Sequence, residues 1–204
     1  MIKDQFIKSL GKYESTTQTQ LQLWYEVEKN YSSSKRLYHN LNHLQSLLTE
    51  LLPFQNKFKN WDVVVLAIAY HDVIYNVLKS DNEETSAGFA RKKLKSIPFP
   101  DDLIRRCESF ILATKKHENS DEEINLFIDA DLSILGSQPD VYKTYSQQIR
   151  KEYKVYPDFM YNPGRKKVLA HFLNMSRIFK SKEFSDRYEQ QARLNLSEEL
   201  KSLS

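Results

Sequence analysis

Four glycines and six prolines are all that this chain of 204 residues has for tight turns. All-β folds need many turns, and turns rest on glycine, proline, Asn and Asp for their backbone angles. The shortage points instead to long helices joined by short loops. Hydrophobic residues make up 40% of the chain, enough for a packed interior, and the length fits one domain, or one domain with an added helical lobe.

Periodicity places the helices. Residues 17–29 carry Leu21, Trp24 and Val27 at helical spacing behind a cap at Thr16 or Thr17. NYSSSKR reads as a loop. A second helix is expected from near Tyr38 to Leu52, with Leu41, Leu44, Leu47, Leu48 and Leu51 on one face and Pro53 ending it. The run from Trp61 to Leu78 contains VVVLAIAY. Val63 to Val65 favour a strand by propensity, but no neighbouring segment alternates with period two, so a strand would lack partners. A buried central helix is expected.

DNEETSAGFARKKLKSI forms the next helix, opened by Asp81 or Asn82 with acids in its first turn. Pro98 and Pro100 break the chain before another helix opens at Asp101 or Asp102. EEINLFIDADLSIL ends near Gly136, and Pro139-Asp140 starts the following helix. Residues 165–179 and 182–202 complete the set. With no repeat, low-complexity tract or linker, the expectation is one all-α domain of about eight or nine helices over residues 1–204.

A net charge of +3 favours anionic small molecules only weakly and makes no case for nucleic acid. The single cysteine, Cys107, has no partner for an internal disulfide, which suits a reducing compartment. Its apolar helical face makes it a small buried hydrophobe and not a nucleophile. MIKDQFIKSLGKYES has no apolar core of signal-peptide length, and VVVLAIAY is too short to span a bilayer. A cytoplasmic protein without a membrane partner is expected.

Three of the five histidines fall in YHNLNH (38–43) and YHD (70–72), on either side of that apolar run. In a helix, His39 and His43 would share a face; taken alone, such a pair is more often a surface or core feature than a site. His71-Asp72 changes the balance. It follows eight apolar residues, a buried carboxylate without a partner costs several kcal/mol, and a metal ion is a good partner. In FIDADLSIL, Asp131 sits in a segment apolar enough to be core, whereas Asp129 points to a different helix face. His43, His71, Asp72 and Asp131 together offer two nitrogen and two oxygen donors, a set suited to Mn, Fe, Zn or Co that leaves room for water.

Histidine, then an HD pair about 28 residues on, then an aspartate, all on helices, resembles the HD-domain superfamily of metal-dependent phosphohydrolases. YHNLNH also resembles the YHNxxH of cyclic nucleotide phosphodiesterases, which share that helical scaffold. There the second histidine binds metal and the first protonates the leaving oxygen, which implies that His43 is a ligand and His39 the acid. DLSIL is similar to the segment holding the last metal aspartate, which implies Asp131 over Asp129. YHNLNHL, YHDVIYN, DNEETSA, FIDADLSILG, IRKEY, GRKKVLAHFL and EQQARLNLSEEL together resemble one bacterial subfamily of predicted HD phosphohydrolases over nearly the whole chain. The chain is shorter than the phosphodiesterases and reads HDVIYN where they have LDHxGxxN, so cyclic nucleotide hydrolysis is not implied.

The resemblance implies an HD-type helical bundle and a divalent cofactor (Mn, Fe, Mg, Co, Ni or Zn). It implies hydrolysis of a nucleotide or another small phosphate or pyrophosphate ester by metal-activated water. Asp72 or Glu84 is the candidate proton acceptor; Glu83 and Glu84 are equally well explained by the helix N-terminus. His117, Lys115, Arg150 and Arg165 are candidate substrate contacts, as is Arg193, since guanidinium groups bind phosphate bidentately. Most arginines are surface or structural ion-pair residues, and His117 also suits a helix C-terminus. Tyr38, Tyr70, Tyr75, Tyr153, Tyr156 and Tyr161 are candidates for stacking on a base, or for aromatic core packing. The alternative function is a non-catalytic nucleotide- or metal-binding regulatory module. A purely helical interaction protein would leave His71, Asp72 and Asp131 without a reason to be buried.

Overall fold

The computed structural model describes residues 1–203. Among them are ten α-helices and no strand: α1 (Ile2–Gly11), α2 (Thr17–Tyr31), α3 (Leu41–Leu51), α4 (Trp61–Tyr70), α5 (Asn82–Leu94), α6 (Asp101–Ala113), α7 (Glu122–Leu132), α8 (Pro139–Glu152), α9 (Asp158–Asn174) and α10 (Lys182–Ser202). Short 3-10 segments follow α3 (Leu52–Lys57) and α7 (Ser133–Gly136). The all-α expectation holds. The N-terminal segment adds a helix, α1, that the sequence reading had not assigned. No helix among the described residues is long and apolar enough to cross a membrane. The chain forms two compact units, Met1–Glu118 and Asn119–Ser204.

The first unit is organised around α4. Asp62 to Tyr70 are all buried, and the helix packs against α1, α3, α5 and α6. Three successive valines are poor helix formers, but each fully buried aliphatic side chain contributes roughly 1.5–3 kcal/mol, which outweighs propensity differences below about 1 kcal/mol. Asn60 caps the helix, its side chain accepting from the Val63 N–H at 3.2 Å. The one charged group on this buried run, Asp62, is held by Lys12 at 2.8 and 2.9 Å.

Two boundaries differ from the sequence reading, and both shape the histidine cluster. The Asn40 side chain accepts from the Asn42 N–H at 2.8 Å and starts α3 at Leu41, so His39 precedes the helix and does not share its face with His43. At the other side, α4 stops at His71 and does not run on to Leu78. The chain beyond is fixed by side chains: Arg36 donates to the Asp72 and Val73 carbonyls, and Ser86 Oγ both accepts from Ile74 N–H and donates to Ile74 O.

In the second unit, α10 packs against α7, α9 and the 3-10 segment 133–136. Gly136 is required there: a Cβ would lie 2.6 Å from both Cβ and the carbonyl oxygen of Tyr188. Asp129, on α7, accepts from Lys180 N, Ser181 N and Ser181 Oγ at 2.6–2.8 Å, anchoring the start of α10. Glu199 on α10 takes a bidentate pair of bonds from buried Arg165 on α9. Burial alone raises the Asp129 carboxyl pKa, and its three donors only partly offset that rise.

Candidate metal centre

Within the first unit the two motifs meet. His43 Nε2 and His71 Nε2 lie 3.1 Å apart, and His71 Nε2 lies 3.2 Å from Asp72 Oδ2. His39 Nε2 stands further off, 4.0 Å from the same oxygen. The His43 and His71 residues are 6% and 1% exposed, whereas the His39 and Asp72 side chains are 19% and 16% exposed. The four groups thus run from two buried imidazoles to a carboxylate and a third imidazole nearer solvent. They come from the first turn of α3, the end of α4 and the turn that precedes α3.

The tautomer of His71 follows from its neighbour. Its Nδ1 is 2.9 Å from the Ile68 carbonyl, an oxygen that can only accept, so Nδ1 carries the proton and the neutral ring presents a lone pair at Nε2. That lone pair faces a second imidazole Nε2 and a carboxylate oxygen. Such a set can be joined by a hydrogen bond from His43 in its Nε2–H tautomer, or by a metal ion shared among the groups. The spacing is compatible with a shared ion as well as with a hydrogen bond. With ligand distances of about 2.1 Å, adjacent ligands sit roughly 3.0 Å apart on an octahedron and roughly 3.4 Å apart on a tetrahedron. The 3.1 and 3.2 Å separations fall between these values. The Nδ1–carbonyl bond is the usual outer support for a ligating histidine.

The other sequence candidates are distributed as follows. Glu84, on the first turn of α5, pairs with Lys115, which also donates to Ser80 O. The hydrogen bond from Lys115 leads the lowering of the Glu84 pKa. Its neighbour Glu83 behaves oppositely: burial raises its pKa first, and the Asp72 charge adds to the rise. His117 follows α6 in a left-handed backbone conformation, φ 51°.

Asp131, half-buried on α7, belongs to the second unit, and neighbouring Asp129 has both oxygens engaged by residues 180 and 181. Arg150 closes the α8–α9 loop through Asp158, Tyr153 O and Tyr156 O. Arg165 is committed to Glu199, and Arg193 to Glu189 and the carbonyls of Leu173, Met175 and Ser176. Cys107 is fully buried, and burial drives its thiol pKa upward, which keeps it protonated. Among the tyrosines, Tyr75 stacks on His39 at 4.3 Å and 30°, Tyr38 borders both His39 and His43 at 5.0 Å, and Tyr70 is buried against Phe6.

Two residues that the sequence reading passed over touch the cluster. Arg36 reaches the Asp72 and Val73 carbonyls, and the Tyr31 hydroxyl accepts from Asp72 N–H at 3.1 Å. Only an arginine two residues before Tyr38 of the YHNLNH stretch, at a position predicted as loop, hinted at this. No protein-family model, curated protein or solved structure matches the chain.

Proposed function

We propose that this chain is a metal-dependent phosphohydrolase of the HD-domain type, acting on a nucleotide or another small phosphate or pyrophosphate ester. The observation that carries the reading is the pair of buried Nε2 atoms 3.1 Å apart, with Asp72 Oδ2 3.2 Å from one of them. His43, His71 and Asp72 would hold a divalent ion. A divalent ion bound there supplies Lewis acidity toward a phosphoryl oxygen and makes a nucleophile available from water near neutral pH.

The protein's own groups divide the remaining work. The Ile68 carbonyl holds His71 in the tautomer that leaves Nε2 free to ligate. His39, more exposed and further from Asp72 Oδ2 than His71 is, donates a proton to the leaving-group oxygen. Tyr75, stacked on the His39 ring, limits the directions in which that ring can turn. Asp72, with Glu83 or Glu84 on α5, supplies carboxylates to accept the proton released by water. A cytoplasmic location is part of the reading, and a single cysteine suits it.

Purified protein assayed against a panel of phosphate esters with added divalent ions tests the reading, and His39→Ala sharpens it. The variant should keep the wild-type metal stoichiometry and lose on the order of 10²–10⁴ in turnover, the range of general acid catalysis. The loss should be smaller for p-nitrophenyl phosphate, whose leaving group needs little protonation. Loss of the metal would make His39 a ligand or a structural residue. A metal-binding protein that turns over none of the panel would favour a regulatory module.

A further inference from the structure

We propose that Arg36 is a positioning residue that sets His39 and Asp72 relative to each other; the proposal rests on the roles given above to those two groups. Arg36 is 8% exposed, unusual for an arginine. Its N–H groups go to three main-chain carbonyls: Asp72 O at 2.6 Å, Val73 O at 3.0 Å and, more loosely, His39 O at 3.4 Å. The first two lie just past the end of α4, where carbonyls have no partner in the helix. The third lies just before α3. One guanidinium therefore ties the turn carrying Asp72 to the turn carrying His39.

Side-chain stacking makes the same link. The guanidinium carbon lies 4.8 Å from the Tyr31 ring centre and 5.4 Å from that of Tyr75. Tyr31 turns its hydroxyl to Asp72 N–H, and Tyr75 stacks on the His39 ring. Arg36 thus reaches Asp72 directly and through Tyr31, and His39 directly and through Tyr75. A residue serving only to cap α4 would need the first two carbonyls alone. The His39 carbonyl and the Tyr75 stack lie outside that task, and they are what connects the cation to the proposed acid. Lysine cannot replace this arrangement, because a single ammonium has neither the planar fork nor the flat face that lies near both rings.

The test compares wild type with Arg36→Lys and Arg36→Gln, with three readouts: the NMR shift of the His39 ring Cε1–H, Mn²⁺ stoichiometry by calorimetry, and turnover. In wild type, Tyr75 should move the His39 signal upfield. Both variants should lose much of that displacement while the His171 signal stays in place. They should keep Mn²⁺ at wild-type stoichiometry, and kcat should fall about 10–100-fold, the usual cost of removing an outer-shell partner.

An unmoved His39 signal in Arg36→Lys would overturn the proposal, as would loss of Mn²⁺ binding by variants of a wild type that binds it. Failure of both variants to fold would also overturn it, by making Arg36 a general support of the unit. If wild type itself bound no Mn²⁺ and turned over nothing, the phosphohydrolase reading would fall. The His39 signal would still report whether Arg36 orders that ring.

Discussion

Replacing Glu199 with alanine should be among the most destabilising single changes in the second unit. Glu199 receives Arg165 Nε and Nη2 at 2.7 and 2.8 Å, and it also accepts from the Tyr142 hydroxyl. Arg165 is 8% exposed and the Glu199 side chain 11%, so the pair is largely removed from water. Deleting the carboxylate strands a buried guanidinium and a buried hydroxyl together. Breaking a buried pair from one side costs roughly 3–5 kcal/mol, a large part of the 5–15 kcal/mol typical of a whole domain.

Replacing the polar groups of the cluster together, as Arg165→Met/Glu199→Leu/Tyr142→Phe/Tyr145→Phe, should restore stability to within about 1 kcal/mol of wild type or better, because the Tyr145 hydroxyl, which is hydrogen-bonded to Arg165, goes with the rest. Both tryptophans, Trp24 and Trp61, lie in the first unit, so urea unfolding followed by far-ultraviolet circular dichroism is the suitable assay. A cost below about 1 kcal/mol for Glu199→Ala, the value of an exposed pair, would refute the reasoning. It would also return Arg165 to the candidates for a phosphate contact.

Gly136→Ala should cost about 1–3 kcal/mol or more, because its new Cβ meets the Tyr188 carbonyl oxygen, a main-chain atom that cannot swing aside; an unchanged urea midpoint would contradict this. Glu189 gives a pH dependence. Burial pushes its carboxyl pKa up, but the Ile178 and Phe179 N–H donors and Arg193 outweigh that, and the net shift is downward. A lowered folded pKa contributes stability above the unfolded value of about 4.3, lost as pH falls through the folded value. The acid side of a melting-temperature profile should therefore flatten in Glu189→Gln, and a profile parallel to wild type would contradict the assignment.

The helical class was readable from the lack of turn residues, and α2 from its leucine and tryptophan spacing with Thr16 accepting from Thr19 N–H. The start of α3 was also written in the chain, since Asn40 is a strong N-cap residue. The leucine repeat pulled the expected boundary back to Tyr38, and with it came the idea that His39 and His43 share a helix face. The end of α4 was not readable. No glycine or proline marks it, and the groups that hold the following turn, Arg36 and Ser86, lie 36 and 12 residues away from the backbone they bind. Meeting of the two histidine motifs was legible because a buried HD pair after an apolar run needs partners. The contribution of Arg36 was not, because it depends on a loop returning to a helix end. Arg150, Arg165 and Arg193 looked alike in the sequence as phosphate clamps, and only packing showed each tied to a carboxylate of its own unit.

The central proposal is that His43, His71 and Asp72 share one divalent ion. A crystal of the protein grown with Mn²⁺, with anomalous diffraction recorded near the manganese edge, tests it most directly. The account predicts a peak within about 2.3 Å of His43 Nε2, His71 Nε2 and one oxygen of Asp72, and no peak there in Asp72→Ala. A wild-type map with no peak between the two imidazoles would contradict it.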